Sequence, residues 1–407
     1  MPHRPILIAG SGIAGLSLGL ALSRHGLASR LLERRPVLSE AGAGIQLGPN
    51  AMHVLRRLGV AEHLEPLAGA PDGIDVFDGA SGRPLTRFPL GRQIEQRFGA
   101  PYRVAHRADL QGALLAAAGQ RSDIEIVTGF EVTGWKETGA GLVVTAADGR
   151  TAEGASLVGA DGLWSTVRRG MYPAHPLTYA GKMAARTVIP SDGVGARFSS
   201  AATGVWLAAD AHVVHYPVRA GRDIAVVAIV DEAAPREGWD GEISSTSVQA
   251  RLIGFAPTLL EFLSLGQDWH AWSLYDPPPL PAWSKGEVCL IGDAAHPILP
   301  FFAQGGGMAI EDADTLAALI AQTPDEPGKA FATFERLRRD RVLRVQAASR
   351  DNGRTFHMSG PMAMARNLTL TLAPGSLMMR RYDWLYGWNG DTVGRAIEAQ
   401  PATSIGT

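Results

Sequence analysis

The chain has 407 residues, 46% of them hydrophobic and 19% charged, which is typical of a globular protein and not of a disordered or fibrous one. At about 150 residues per domain, this length predicts two or three domains, or one large α/β protein with an inserted layer. The net charge of −2 and the single cysteine argue against nucleic-acid and membrane partners, a disulfide and a zinc site. A cytoplasmic location is therefore expected.

The N-terminus predicts a strand, a glycine turn and a helix. Residues 5–9 (PILIA) are a short apolar run, and the next residues contain Gly10, Gly12 and Gly15 in the pattern GxGxxG. Residues 16–26 (LSLGLALSRHG) then have helical spacing and end in a glycine. The same apolar stretch also resembles a signal peptide, but its three glycines favour a buried strand, turn and helix.

A second strand is predicted at residues 29–32 and is followed by Glu33, 18 residues after Gly15. In a dinucleotide-binding unit the first glycine makes the turn, and the second lets the backbone approach a pyrophosphate. The third glycine lets helix and strand pack closely, and an acidic residue after the second strand accepts hydrogen bonds from a ribose. The spacing therefore predicts a dinucleotide site, which could hold FAD or NAD.

Two more strand-and-turn motifs follow in the chain. Residues 155–171 predict a buried strand, the pair Asp161-Gly162 and a short helix. Residues 287–316 predict a strand, the pair Gly292-Asp293, a turn rich in proline and glycine, and a helix. The acidic pair Glu311-Asp312 on that helix is interpreted as a charged helix face.

With these three motifs in this order, the chain resembles the single-component, FAD-dependent aromatic hydroxylases of the p-hydroxybenzoate hydroxylase type. The resemblance implies that Glu33 holds the adenosine ribose, that Arg107 contacts the FAD chain and that Asp293 binds the ribityl hydroxyls. In the family, Asp161 is attributed to FAD and to pyridine-nucleotide function together. The implied cofactor set also contains the glycines of the N-terminal turn and those at the start of the later helix, Gly10, Gly12, Gly15, Gly305, Gly306 and Gly307. The last three would present N–H groups to the flavin pyrimidine edge.

Several strings resemble the branch that contains 3-hydroxybenzoate 6-hydroxylase, salicylate hydroxylase and 6-hydroxynicotinate 3-monooxygenase. They are GAGIQLGPNA, FGAPYRVAHRADL, HVVHYPVRAG, HPILPFFAQG and DWLYGWN. The resemblance implies that Tyr102, His212 and Tyr216 line the substrate site and that NADH is the usual donor. Pro300 stands where 3-hydroxybenzoate 6-hydroxylases carry a pocket glutamine, which leaves a hydroxynicotinate or salicylate type open.

The implied chemistry requires a base close to the substrate. A reduced flavin with O₂ can form a C4a-hydroperoxide that attacks electron-rich rings, so a phenol must be deprotonated. His212 is the first candidate for this base, because histidine titrates near neutral pH. Tyr216 lies four residues further along the same predicted strand and therefore on the same face, where it would orient the substrate, whereas His215 lies on the opposite face.

The motif positions predict an α/β fold with a Rossmann-like FAD-binding domain, an inserted and mostly antiparallel sheet, and C-terminal helices. The FAD-binding domain takes residues 1–70, 100–175 and 280–345, and the substrate-binding layer takes residues 71–99 and 176–279. A C-terminal helical segment takes residues 346–407, and residues 331–354 predict a helix with a basic, solvated face.

The expected function is hydroxylation of a small hydroxylated aromatic acid with NAD(P)H and O₂, by a monomer or homodimer. A flavin disulfide reductase is excluded, since the chain has neither a second GxGxxG nor a cysteine pair. NAD(P)H would therefore bind only transiently. Two alternatives stay open: an FAD-binding flavoprotein without oxygenase activity, and a hydroxylase of a larger aromatic ring system.

Overall fold

A computed structural model describes residues 4–38, 44–139, 141–236 and 240–390. Its first elements are the strand Ile6–Ala9, the helix Ile13–Arg24 and the strand Ser29–Glu33, which confirms the predicted strand, turn and helix. Every residue of Ile6–Ala9 is buried, as expected for a parallel strand covered on both faces. The predicted α/β fold class is also confirmed.

A six-stranded sheet forms the first layer. Its strands in spatial order are Ser284–Lys285, Val288–Leu290, Ser156–Gly159, Ile6–Ala9, Ser29–Glu33 and Ile124–Thr128. All neighbours are parallel except the first pair, which forms a hairpin. The three motifs found in the sequence therefore leave adjacent strands at the same edge of this sheet, where α/β proteins bind their ligands.

An eight-stranded sheet forms the second layer. Its strands in spatial order are Gly241–Glu242, His270–Tyr275, Tyr179–Pro190, Asp223–Asp231, Ala211–Val218, Thr203–Ala208, Gly73–Asp78 and Pro84–Pro89. Its neighbouring strands are antiparallel except Thr203–Ala208 and Gly73–Asp78, which are parallel. One face covers an apolar core under the helices Ser245–Ala250 and Pro257–Ser264. The other face packs on the rest of the chain through Leu299 and Phe301.

Two smaller sheets complete the strands. One consists of Thr151–Gly154, Gly141–Ala146 and Val132–Thr138, and the other of Gly44–Leu47 and Arg103–His106. The remaining helices are Pro49–Arg57, Ala61–Leu64, Arg92–Phe98, Arg107–Ala118, Thr166–Met171, Gly305–Ile320, Pro327–Phe356, Gly360–Leu372, Gly375–Met379 and Asp383–Tyr386. Among the described residues, no helix combines the length and the apolar character that a membrane span requires.

The long helix Pro327–Phe356 runs without a break through residue 345, where the sequence predicted the start of the C-terminal segment. Its predicted basic face is only partly solvated, because Arg338 is buried. Residues 391–407 of the predicted C-terminal segment, and residues 42–43 of the string GAGIQLGPNA, lie outside the described residues.

Candidate active site

A groove of about 410 Å³ runs along the edge of the six-stranded sheet and reaches the eight-stranded sheet. It joins the three motifs, since its lining includes residues from each of them. The predicted site residues that line it are Gly10, Gly12, Glu33, Arg107, Asp161, Asp293, Pro300, Gly305 and Gly306.

The three glycines of the first turn have different surroundings. Gly10 has φ +98°, and a Cβ there would lie 2.8 Å from the carbonyl oxygen of Ala160. A Cβ on Gly15 would lie 2.0 Å from the carbonyl oxygen of Gly10, so this glycine lets the helix contact the strand. A Cβ on Gly12 would meet nothing within 4 Å, which leaves an open backbone approach on the groove side.

Glu33 lies beside this turn. Its carboxylate accepts hydrogen bonds from the backbone N–H groups of Ser11 at 2.9 Å and Arg35 at 3.0 Å. These bonds hold the acid at the end of its strand, where a ribose in the groove could donate further bonds.

Asp161 has a double role in the second motif. Its Oδ2 accepts bonds from the N–H groups of Thr166 at 2.7 Å and Val167 at 3.2 Å, so it caps the following helix. Its Oδ1 is buried and has no hydrogen-bond partner among the described residues. A buried oxygen without a partner is costly, which fits a groove that holds a polar ligand.

Arg168 joins the second motif to the third. This side chain is 4% exposed, and its Nη1 donates to the carbonyl oxygens of Asp293 at 3.2 Å and Ala294 at 3.1 Å. Its Nη2 donates to the carbonyl oxygen of Leu163. Burial lowers the pKa of Arg168. Sequence analysis did not predict this contact, because the partners are main-chain carbonyl groups.

Asp293 is exposed to the groove and not to the outer surface. Burial among the groove walls raises the pKa of its carboxyl group, and the positive charge of Arg107 opposes that rise. Its Oδ1 lies 3.8 Å from the position of a Cβ on Gly305, the first residue of the helix Gly305–Ile320. The free N–H groups of that first helical turn favour an anionic ligand edge.

Gly307 does not line the groove. It is buried, and a Cβ there would lie 3.0 Å from Oε1 of Gln304 and 3.4 Å from Nδ2 of Asn50. Gly15 is likewise covered by protein and not part of the groove wall.

The interpretation of Glu311 and Asp312 as a charged helix face was wrong, since both side chains are fully buried. Arg338 donates from Nη1 to Glu311 at 2.6 Å and from Nε to Asp312 at 2.8 Å. His296 Nε2 lies 2.6 Å from Asp312 Oδ2. Burial alone would raise the pKa of Asp312, but the charges of His296 and Arg338 outweigh it and lower that pKa to about 2. This network fixes the helix whose first turn faces the groove.

Tyr102, His212 and Tyr216 do not line the groove and are almost completely buried. His212 and Tyr216 lie on the same face of the strand Ala211–Val218, about 13 Å apart along it at the usual rise per residue. The His212 ring is 5.5 Å from the ring of Phe301, the residue after Pro300. A monocyclic acid could contact both side chains only from its opposite ends.

The two tyrosines lie close to each other at the other end of this face. The Tyr102 hydroxyl donates to Oε1 of Gln46 at 2.5 Å, and the Tyr216 hydroxyl would lie 2.4 Å from a Cβ on Gly44. Burial raises the pKa of both tyrosines, and Tyr216 adds to the rise at Tyr102. Both hydroxyls are therefore neutral hydrogen-bond donors.

His212 has a partner that the sequence did not reveal. Its Nδ1 lies 2.8 Å from Nε2 of His357, at the end of the long helix. Burial lowers the pKa of His212 well below its ordinary value, and His357 and Lys182 lower it further. The ring is therefore neutral at pH 7 and can accept a proton at the nitrogen that His357 leaves free.

The fold and the groove are those of a flavoprotein: a Rossmann-type sheet with a ligand groove of about 410 Å³ that ends at a second, mostly antiparallel sheet. The glycine backbone, the partnerless oxygen of Asp161 and the exposed carboxylate of Asp293 fit the diphosphate and hydroxyl groups of FAD. Residues 3–349 match the family described as FAD binding domain, and the chain belongs to this family.

The chain is also similar to individual hydroxylases and monooxygenases. The chain is 35% identical to the 3-hydroxybenzoate 6-hydroxylase of Polaromonas naphthalenivorans over 95% of this chain and 96% of that one. It is 33% identical to the 6-hydroxynicotinate 3-monooxygenase of Bordetella bronchiseptica over 85% of this chain and 91% of that one. A salicylate hydroxylase in complex with its substrate has the same fold, with a TM-score of 0.82 at 24% identity over 99% of this chain and 100% of that one.

Proposed function

We propose that this chain is an FAD-dependent monooxygenase that hydroxylates a small aromatic acid carrying a ring hydroxyl. The observation that carries the proposal is that the groove is lined by Arg186 and Trp272, which lie on the same sheet face as His212 and Tyr216. Relatives named hydroxylase and monooxygenase, which align over nearly the whole chain, support the same class.

The proposed cofactor roles belong to residues in and around the groove. Reduced FAD bound in this groove would activate O₂, so that one oxygen atom of O₂ is transferred to an electron-rich ring and the other leaves as water. Glu33 would accept bonds from the ribose, Arg107 and Asp293 would contact the FAD chain, and the N–H groups of Gly305 and Gly306 would face the flavin. Gly10 and Gly15 shape the turn, and Gly307 packs closely against Gln304 and Asn50. We propose NADH as the transient donor, and turnover with matched NADH and NADPH tests that choice.

His212 is proposed as the base that deprotonates the ring hydroxyl. Its Nδ1 is engaged by His357, so Nε2 is the nitrogen available to the substrate. Tyr216, kept neutral by burial, would donate a hydrogen bond to the far end of the same molecule. Tyr102 and Pro300 would complete the walls, with Asp161 at the approach of the pyridine nucleotide.

The substrate class is proposed as hydroxybenzoate, salicylate or hydroxynicotinate. Residues 71–99 and 176–279 would cover that substrate, while residues 1–70, 100–175 and 280–345 would bind FAD. A cytoplasmic location and a monomeric or homodimeric state belong to the same proposal.

A screen of NADH oxidation against hydroxybenzoates and hydroxypyridine carboxylates tests the function directly. Fast NADH consumption only in the presence of one such acid, with a product heavier by one oxygen atom, is the expected result. A flavoprotein without oxygenase activity would oxidise NADH at the same slow rate with every acid. A response only to multi-ring substrates would instead favour the hydroxylase of larger rings.

A second experiment addresses the cofactor residues. Asp293→Ala should lose FAD during gel filtration and bind it more weakly in fluorescence titration, whereas Asp293→Asn should keep part of the affinity through its remaining oxygen. Full FAD occupancy in Asp293→Ala would show that the assigned role is wrong.

A further inference from the structure

A continuous line of polar groups leads from His212 to the protein surface. His212 Nδ1 is 2.8 Å from Nε2 of His357, and Nδ1 of His357 is 3.2 Å from Oδ1 of Asp231. Exposure rises along the line, from 1% for His212 to 9% for His357 and 47% for the Asp231 side chain. The buried histidine is therefore connected to solvent through one intermediate ring.

His212 has no other polar route outward among the residues that the structure describes. The ring of Phe301 lies 5.5 Å away and that of Phe356 lies 5.1 Å away. These apolar rings flank His212, so its hydrogen bond to His357 is the polar contact through which an accepted proton can be passed on.

The fold holds His357 firmly in this position. The residue follows the last turn of the helix Pro327–Phe356, and its N–H donates to the carbonyl oxygen of Gly353 at 3.2 Å. Arg366 donates from Nη1 to the carbonyl oxygens of Thr355 at 2.9 Å and Phe356 at 2.7 Å. These bonds close the end of the helix and set the direction of the next side chain.

Nδ1 of His357 has both a hydrogen-bond acceptor and a hydrogen-bond donor beside it. Nδ1 lies 3.2 Å from the Asp231 carboxylate, which can only accept, and 3.1 Å from Nζ of Lys182, which can only donate. Lys182 and Asp231 also form an ion pair with each other. Both neutral tautomers of His357 are therefore stabilised, as a ring that gains and loses protons requires.

We propose that His357 relays protons between His212 and solvent, an inference that rests on the proposed role of His212 as the base. The substrate O–H bond breaks as Nε2 of His212 takes the proton, and the proton on Nδ1 of His212 passes to Nε2 of His357. The proton on Nδ1 of His357 passes to the Asp231 carboxylate, which releases it to water. One proton leaves the substrate and one reaches solvent. The reverse transfer returns a proton to the product oxygen and restores both rings.

The charges that act on His357 come from three elements. They are Lys182 on the strand Tyr179–Pro190, Asp231 at the end of Asp223–Asp231, and Asp210 in the turn before Ala211–Val218. Burial and the charge of Lys182 lower the pKa of His357 to about 4, while the two carboxylates and the helix C-terminus favour a transient positive charge on the ring. Because these effects oppose each other, His357 does not retain the proton that it receives.

Proton release can be measured without turnover. The oxidised, FAD-loaded protein is mixed in a stopped-flow instrument with the acid that gave the fastest NADH consumption, and a pH indicator follows the release. His357→Gln should keep FAD content and acid affinity but slow the release by about tenfold or more. Added imidazole should restore fast release in His357→Ala, which a purely structural role would not predict.

Asp231→Asn and Asp210→Asn form a matched pair, because each replaces one carboxylate near His357 by an amide. Asp231→Asn should slow release less than His357→Gln, because water can replace an exposed carboxylate. Asp210→Asn removes a nearby charge that acts on the His357 ring without a hydrogen bond to it, and it should slow release less than Asp231→Asn. Its φ of +60° suits asparagine as well as aspartate.

Three results would decide the question. Wild-type release in His357→Gln together with blocked release in His212→Gln would overturn the relay and leave the base assignment intact. Wild-type release in both variants would overturn the base assignment itself. If His357→Gln lost its FAD, wild-type release in the surface variant Asp231→Asn and no imidazole rescue of His357→Ala would count against the relay.

Discussion

The two faces of the strand Ala211–Val218 each carry a buried histidine, and the surroundings of the two histidines differ. His212 and His215 are both 1% exposed. His212 faces the FAD-binding part of the chain and shares a hydrogen bond with His357. His215 faces the other core, where it lies among the rings of Phe198, Trp206 and Phe262 and neither ring nitrogen has a partner among the described residues.

Burial alone therefore does not distinguish the proposed base, His212, from a histidine in an apolar core. Burial lowers the pKa of both rings, and that of His215 falls to about 3. Only His212 combines burial with a route for a proton and a neighbouring ligand groove. The alternation of side chains along a strand is sufficient to separate these two environments by a shift of three residues.

The largest expected effect is on the groove side. His212→Ala should slow the hydroxylation step by about 10²- to 10⁴-fold, or divert it to hydrogen peroxide, because the ring hydroxyl then stays protonated. FAD binding should change little. Rapid-mixing spectroscopy separates flavin reduction from oxygen transfer. Unchanged coupling and rate would exclude His212 as the base and direct attention to Tyr102 or Tyr216.

An intermediate effect is expected on the opposite face. The folded pKa of His215, about 3, lies below the unfolded value of about 6.5, so at intermediate pH only the unfolded chain binds this proton. Stability therefore falls as the pH drops through this window, by at most about 1.4 kcal/mol per pH unit for one such group. His215→Leu should weaken that dependence between pH 7 and pH 5 in urea unfolding, with hydroxylation unchanged. If the free energy of unfolding of His215→Leu depended on pH as steeply as that of the wild type, the assignment of this dependence to His215 would be wrong.

The smallest effect is expected at the far end of the groove-side face. Tyr216→Phe removes one hydroxyl but keeps the ring, and it should weaken acid binding by about 1 kcal/mol, roughly fivefold. Flavin absorbance titration measures this affinity. Tyr179→Phe is a suitable control, because the Tyr179 hydroxyl donates to the main-chain carbonyl oxygen of Glu232 at a different position on the same sheet. Equal losses in both variants would indicate a general effect on the sheet.

The sequence was sufficient for the parts of the site that depend on local spacing. The GxGxxG turn, the strand that ends at Glu33 and the helix that begins at Gly305 all follow from short-range patterns, and the structure has them as predicted. The common face of His212 and Tyr216 followed from the period of a strand.

What the sequence could not predict depends on contacts between distant segments. Glu311 and Asp312 read as solvated charges because their buried partner, Arg338, is more than 25 residues away. His357 follows a long helix and has no motif around it, and only tertiary packing brings it to His212, at a separation of 145 residues. Such pairs leave no periodic signal in one sequence.

The hydrogen bonds from Arg168 to the carbonyl oxygens of Asp293 and Ala294 also have a consequence for folding during synthesis. Its guanidinium group holds carbonyl groups 125 and 126 residues further along the chain, and the strand Ser156–Gly159 is flanked on one side by Val288–Leu290. During synthesis the N-terminal half can form its first strands early, but the groove closes only after residues near 294 have left the ribosome. Capture of FAD in this groove is therefore expected only after these residues have been synthesised, and the bound cofactor then stabilises the folded chain.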